Sequence, residues 1–117
     1  MIIDQHKTVN QIQQEFSEMF PFLKIEFFKK AHNIFGGNSN KEIIQSKEAL
    51  KIKGSGELLI TSNMTVNELE QRFKSQFGLN IQVFRKHGKT WIETTITDNW
   101  TLFKQNEEGK TLSELKF

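Results

Sequence analysis

The chain has 117 residues, 36% hydrophobic and 26% charged, which suits one globular core and neither a disordered tail nor a membrane protein. It contains no Cys, so thiol nucleophiles, disulfides, iron–sulfur clusters and cysteine-bound zinc are excluded together. Sixteen Lys plus Arg against fourteen Asp plus Glu leave a net charge of +2, too small to call for a nucleic-acid partner through bulk electrostatics.

In chain order, Ile2-Ile3 is a short apolar run that predicts a first strand, and Asp4 directly after it breaks any secretory apolar core. No run approaches the ~20 apolar residues of a membrane span, so the expected location is the cytoplasm and no membrane partner is implied. Thr8 with Gln11 forms a capping box, in which hydroxyl and N3 side chain satisfy reciprocal backbone donors. Val9, Ile12, Phe16, Met19 and Phe20 then make one helical stripe that Pro21 ends. Ile25 to Lys30 reads as the second strand.

From Asn33 to Gly56, Gly36-Gly37-Asn38 predicts a loop, while Ser39 with Glu42, followed by Ile43, Ile44 and Leu50, predicts a short extra helix. Gly54-Ser55-Gly56 lacks the complete phosphate-loop pattern and precedes a strand, Leu58-Leu59-Ile60, so it reads as a turn. Thr65 with Glu68 is another capping box, followed by Val66, Leu69, Phe73 and Phe77 and stopped by Gly78. Ile81–Lys86 is the next strand. A type I′ turn at His87-Gly88 and a fifth strand over 90–96 follow it. Beyond it, Asp98 is expected to cap a helix carrying Trp100, Leu102 and Phe103, with Gly109 as its C′ residue and a further box at Thr111 with Glu114.

The segment Thr8–Phe20 returns as Thr65–Phe77 at a constant offset of 57, and after one deletion Ile25–Lys30 faces Ile81–Lys86. Two copies are too few for a solenoid and suggest a pseudo-twofold domain. Strand–helix–strand units favour right-handed parallel crossovers, and two of them predict a ferredoxin-like βαβ-βαβ sandwich. The expected organisation is one domain over 1–117, with repeat halves 1–30 and 57–86, the added edge strand 90–96 and a C-terminal helical segment 98–117. Phe77-Gly78-Leu79, Gln82-Val83-Phe84-Arg85-Lys86, Trp91, Thr94-Thr95, Thr97-Asp98, Trp100-Thr101-Leu102 and Gln105-Asn106 resemble a group of small uncharacterised bacterial proteins. The resemblance implies no activity, cofactor or site.

No chemistry-bearing constellation emerges. His6, His32 and His87 are scattered without metal-ligand spacing, and His87 reads as an exposed turn residue. No Ser sits in a Gly-x-Ser-x-Gly elbow. Hence no catalytic residue, cofactor or metal is predicted, and the chain reads as a non-enzymatic interaction module.

The composition holds 11 Phe, 2 Trp and no Tyr, rings that belong in a core or an interface. Strand alternation around a His87-Gly88 turn sets Phe84 opposite Trp91, Gln82 opposite Glu93 and Lys86 opposite Lys89, all on one face. Ile81, Val83, Ile92 and Thr94 take the other face, toward the helices. The outer face thus gathers Phe28, Phe84 and Trp91 beside Lys24, Lys30, Lys86 and Lys89. Three covers are open for these rings: the C-terminal segment through Trp100, Leu102, Phe103 or Phe117, a second subunit or other protein partner, or a single strand of nucleic acid stacked on them. The exposed edge of the fifth strand is a further candidate contact.

Overall fold

Both helix starts read from Thr8 and Thr65 are present in the computed structural model, which describes residues 1–29, 43–44, 52 and 54–114. The elements run β1 (Ile2–Ile3), α1 (Val9–Met19), β2 (Leu23–Phe28), β3 (Gly56–Glu57), α2 (Val66–Phe77), β4 (Asn80–His87), β5 (Thr90–Glu93) and α3 (Leu102–Glu114). At α1 the Thr8 hydroxyl accepts Gln11 N–H at 3.3 Å and Gln11 Oε1 accepts Thr8 N–H at 2.8 Å, a full capping box. At α2, Thr65 Oγ1 accepts Glu68 N–H at 3.1 Å, and the hydroxyl donates to Glu68 Oε1 at 3.2 Å. Gly78 closes α2 at φ 67, where a side chain would be strained, and Leu79 N–H then reaches back to Phe73 O at 3.1 Å.

One apolar core unites the halves: Ile12 and Phe16 of α1, Leu69 and Phe73 of α2, Leu23, Ile25 and Phe27 of β2, and Ile81 and Val83 of β4 are all buried. Each such side chain contributes roughly 1.5–3 kcal/mol by leaving water. The ring pairs Phe16–Phe20 at 5.4 Å and Phe73–Phe77 at 6.3 Å occupy equivalent repeat positions, and Phe27 meets Phe73 edge-on at 5.7 Å across the halves.

The class is α+β, but the strands do not form the single ferredoxin-like sheet. β1 pairs with β3, the order of the second sheet is β2–β4–β5, and every described pairing is antiparallel. In the β2–β4 ladder Glu26 faces Gln82, and beside β1 and β3 Met1 and Leu58 exchange both backbone bonds, at 2.7 and 3.1 Å. Glu26 and Gln82 are repeat equivalents, and so are Met1 and Leu58. The strands thus pair between the two similar segments instead of within them. The strand–helix–strand pattern fixes the order of elements but not the pairing partner, so antiparallel pairing with the other copy satisfies the same sequence.

Several local expectations shift. The third strand lies at Gly56–Glu57, ahead of Leu58-Leu59-Ile60, and the fifth ends at Glu93. The hairpin turn is Gly88-Lys89, closed by the His87–Thr90 pair, with φ 65 at Gly88 and no positive φ at Lys89. That sign pattern belongs to type II′, which needs Gly only at its first position. Ile43 and Ile44 lie against the β2 edge, Ile43 bridged to Phe28, and not in a helix; the rest of the expected extra helix lies outside the described residues. The α3 start is capped by Thr101, whose Oγ1 accepts Lys104 N–H at 3.1 Å, and not by Asp98. Gly109 and Thr111 fall inside α3. A Cβ on Gly109 would stand 3.0 Å from Phe22 Cβ and 3.1 Å from both Phe22 O and Arg85 Cγ, so close helix–sheet approach explains this glycine.

The two edges of the larger sheet differ. β5 continues the sheet beyond β4. On the β2 side, Ser17 Oγ donates to Leu23 O at 3.1 Å, Gln13 Nε2 to Ile25 O at 2.8 Å and Ile44 N–H to Phe27 O at 2.8 Å. Those bonds satisfy the outward carbonyls and blunt that edge against further strand pairing.

Candidate interaction face

By alternation and register, Leu23, Ile25 and Phe27, Ile81, Val83 and Arg85, and Ile92 share the inner face, which α2 and α3 cover. Lys24, Glu26 and Phe28, Gln82, Phe84 and Lys86, and Trp91 and Glu93 share the outer one. The observed register differs by two residues from the one predicted, since Lys86 faces Trp91 and Phe84 faces Glu93. A two-residue shift preserves parity, so the predicted faces survive the wrong turn.

Four of the predicted face residues converge. Lys24 Nζ lies 5.5 Å from the Phe84 ring centre and 5.0 Å from that of Trp91, and Lys86 Nζ lies 5.6 Å from Trp91. Such contacts contribute ~0.5–1 kcal/mol each at exposed sites. Lys24 also approaches Glu26 Oε1 at 3.7 Å, and Glu26 Oε2 accepts Gln13 Nε2 at 3.2 Å. Phe84 and Trp91 are half-buried. Beside them opens a groove of about 260 Å³ between α1 and the outer face, lined by Gln13, Ser17, Lys24, Glu26 and Trp91.

The other predicted members stand apart. Phe28 pairs with Asn80 at the far end of β2, roughly 13 Å along the strand from Lys24. It is only 4% exposed. Lys89 occupies the turn tip and makes no ladder pair, and Lys30 lies outside the described residues.

The described C-terminal segment does not cover the rings. Its chain from Asp98 to Phe103 runs beside Ser62–Asn67, where Val66 N–H donates to Trp100 O at 3.2 Å, Asn67 N–H to Asp98 O at 2.8 Å and Leu102 N–H to Met64 O at 2.8 Å. The carbonyls of Trp100 and Asp98 thus take up first-turn N–H groups of α2 that no intrahelical acceptor can reach. α3 then docks on the inner side, with Gln105 Oε1 accepting Arg85 Nη1 at 2.8 Å and Asn106 Oδ1 accepting Phe22 N–H at 2.8 Å. Phe117 lies outside the described residues.

Comparison of the chain with protein-family models, with curated proteins and with solved structures gives no match. Among the described residues no three His, Asp or Glu side chains gather as metal ligands, and no helix is long and apolar enough to cross a membrane. Sequence reading missed Gln13 and Ser17, because a polar residue on an amphipathic helix looks like solvent-facing surface until the strand edge beside it is known. It also passed over Arg85, although alternation from Ile81 and Val83 already aims that position inward.

Proposed function

We propose that this chain is a non-enzymatic, cytoplasmic interaction module that associates with a second copy of itself through the outer sheet face. The observation that carries the proposal is the convergence of Lys24, Phe84, Lys86 and Trp91 on the face away from α2 and α3. Half-buried rings flanked by lysines form a surface whose remaining apolar area is recovered by contact with another protein. The charge is mixed, with Lys24 beside Glu26. A contact related by a twofold must complement itself, which a face of both signs does and a uniformly basic one does not. The same pairing engages Lys24 within the chain, which disfavours the alternative of a single-stranded nucleic acid, where lysines track phosphates.

Sedimentation velocity over a concentration series tests this. The unmodified chain is expected as a dimer and Phe84→Lys as a monomer with unchanged helicity. A monomer at every concentration removes the proposal, and oligonucleotide binding that falls steeply with salt replaces it with the nucleic-acid reading.

A further inference from the structure

On the opposite side of the sheet Arg85 is a half-buried cation with no carboxylate partner among the described residues. Its Cγ packs beside Gly109, and its Nη1 donates to Gln105 Oε1 at 2.8 Å. Gln105 is itself 0% exposed and is held by Nε2 bonds to Thr97 O at 2.7 Å and Thr97 Oγ1 at 2.9 Å, which turns its carbonyl oxygen toward Arg85. The guanidinium lies 5.5 Å from the Trp100 ring centre, and Lys104 Nζ lies 4.1 Å from the same centre. Among the described residues neither cation has a carboxylate within 4.0 Å, and none of them offers an acceptor to the buried Arg85 Nε.

A guanidinium stays charged at any ordinary pH, and burying part of it unpaired costs free energy that proteins normally offset with an anion. Lys104 brings a second cation to the same ring from an exposed position on α3. We propose that Arg85 and Lys104 bind a phosphoryl group beside Trp100. Two cations match a phosphate carrying about −1.5 to −2 charge, whereas a carboxylate balances only one of them. Gln105 is the positioning residue, because it fixes the guanidinium before any ligand arrives. This site is independent of the outer face and of self-association.

The full chain carrying Trp91→Phe leaves Trp100 as its single indole. Titration with sodium phosphate is expected to change Trp100 emission saturably, with a dissociation constant of about 1 mM or tighter, and to raise the melting temperature. Sodium chloride at matched ionic strength should do neither. Lys104→Gln, at an exposed position, should fold normally and weaken phosphate binding about tenfold, the loss of one charge-assisted bond. An emission response no larger than that of chloride overturns the site, an equal response to acetate overturns the phosphoryl assignment, and unchanged affinity in Lys104→Gln overturns the two-cation geometry.

Discussion

Glu26 lies directly opposite Gln82 across β2 and β4, and the two residues occupy the same position in the two copies of the repeat. The antiparallel ladder therefore joins the two similar segments at matching positions. Because the chain has no Cys, Glu26→Cys with Gln82→Cys introduces the only thiols. Facing residues of an antiparallel pair have Cα atoms about 4.5–5.5 Å apart, inside the disulfide range. Mild oxidation or a short thiol cross-linker should therefore join them within one chain, seen as faster migration on a non-reducing gel. Exclusively intermolecular products would mean that the register is wrong.

The caps should behave alike despite their different partners. Thr8→Ala and Thr65→Ala are each expected to lower stability by about 1 kcal/mol in urea denaturation. Two neutral substitutions would contradict the bonds from Gln11 and Glu68 to the hydroxyls.

Gly109→Ala separates propensity from packing. In an exposed helix interior the change would stabilise by roughly 0.5–1 kcal/mol. Against the Phe22 backbone and Arg85 stem it should instead destabilise by about 1–3 kcal/mol, because the close contacts include a carbonyl that cannot rotate away. A rise in melting temperature would show that α3 does not approach β2 this closely.

What was legible in the sequence is what depends on neighbours along the chain. Thr8 and Thr65 announce their helices through residues three places on, and Phe84 and Trp91 reveal a common face because period-two alternation survives a register error of two. Pairing partners were not legible: nothing local in Ile2-Ile3 states that Gly56–Glu57, rather than β2, lies beside it. Gly109 misled for a related reason, since its cause is Phe22, far away in sequence. Within the candidate site, Lys24, Lys86, Phe84 and Trp91 came together from parity alone. Phe28 shared that parity but sits at the buried end of the strand, and position along a strand is set by its pairing.

Gln105 should be among the most sensitive polar positions. Gln105→Leu removes the acceptor of Arg85 Nη1 and the donor to Thr97, leaving buried polar groups unpaired. The expected loss is about 2–4 kcal/mol, with α3 loosened first, measurable as accelerated amide exchange in Leu102–Glu114. Exchange rates unchanged from those of the unmodified chain would show that α3 is held without this network.

Two copies are proposed to meet on the outer face that carries Trp91. Trp100→Phe leaves Trp91 as the sole indole, and its emission and iodide quenching can be followed from dilute to concentrated solution. Burial of the face on association predicts a shift to shorter wavelength and loss of quenching as concentration rises, both abolished by Phe84→Lys. Emission and quenching that stay constant while the chain sediments as a dimer would place the contact away from this face.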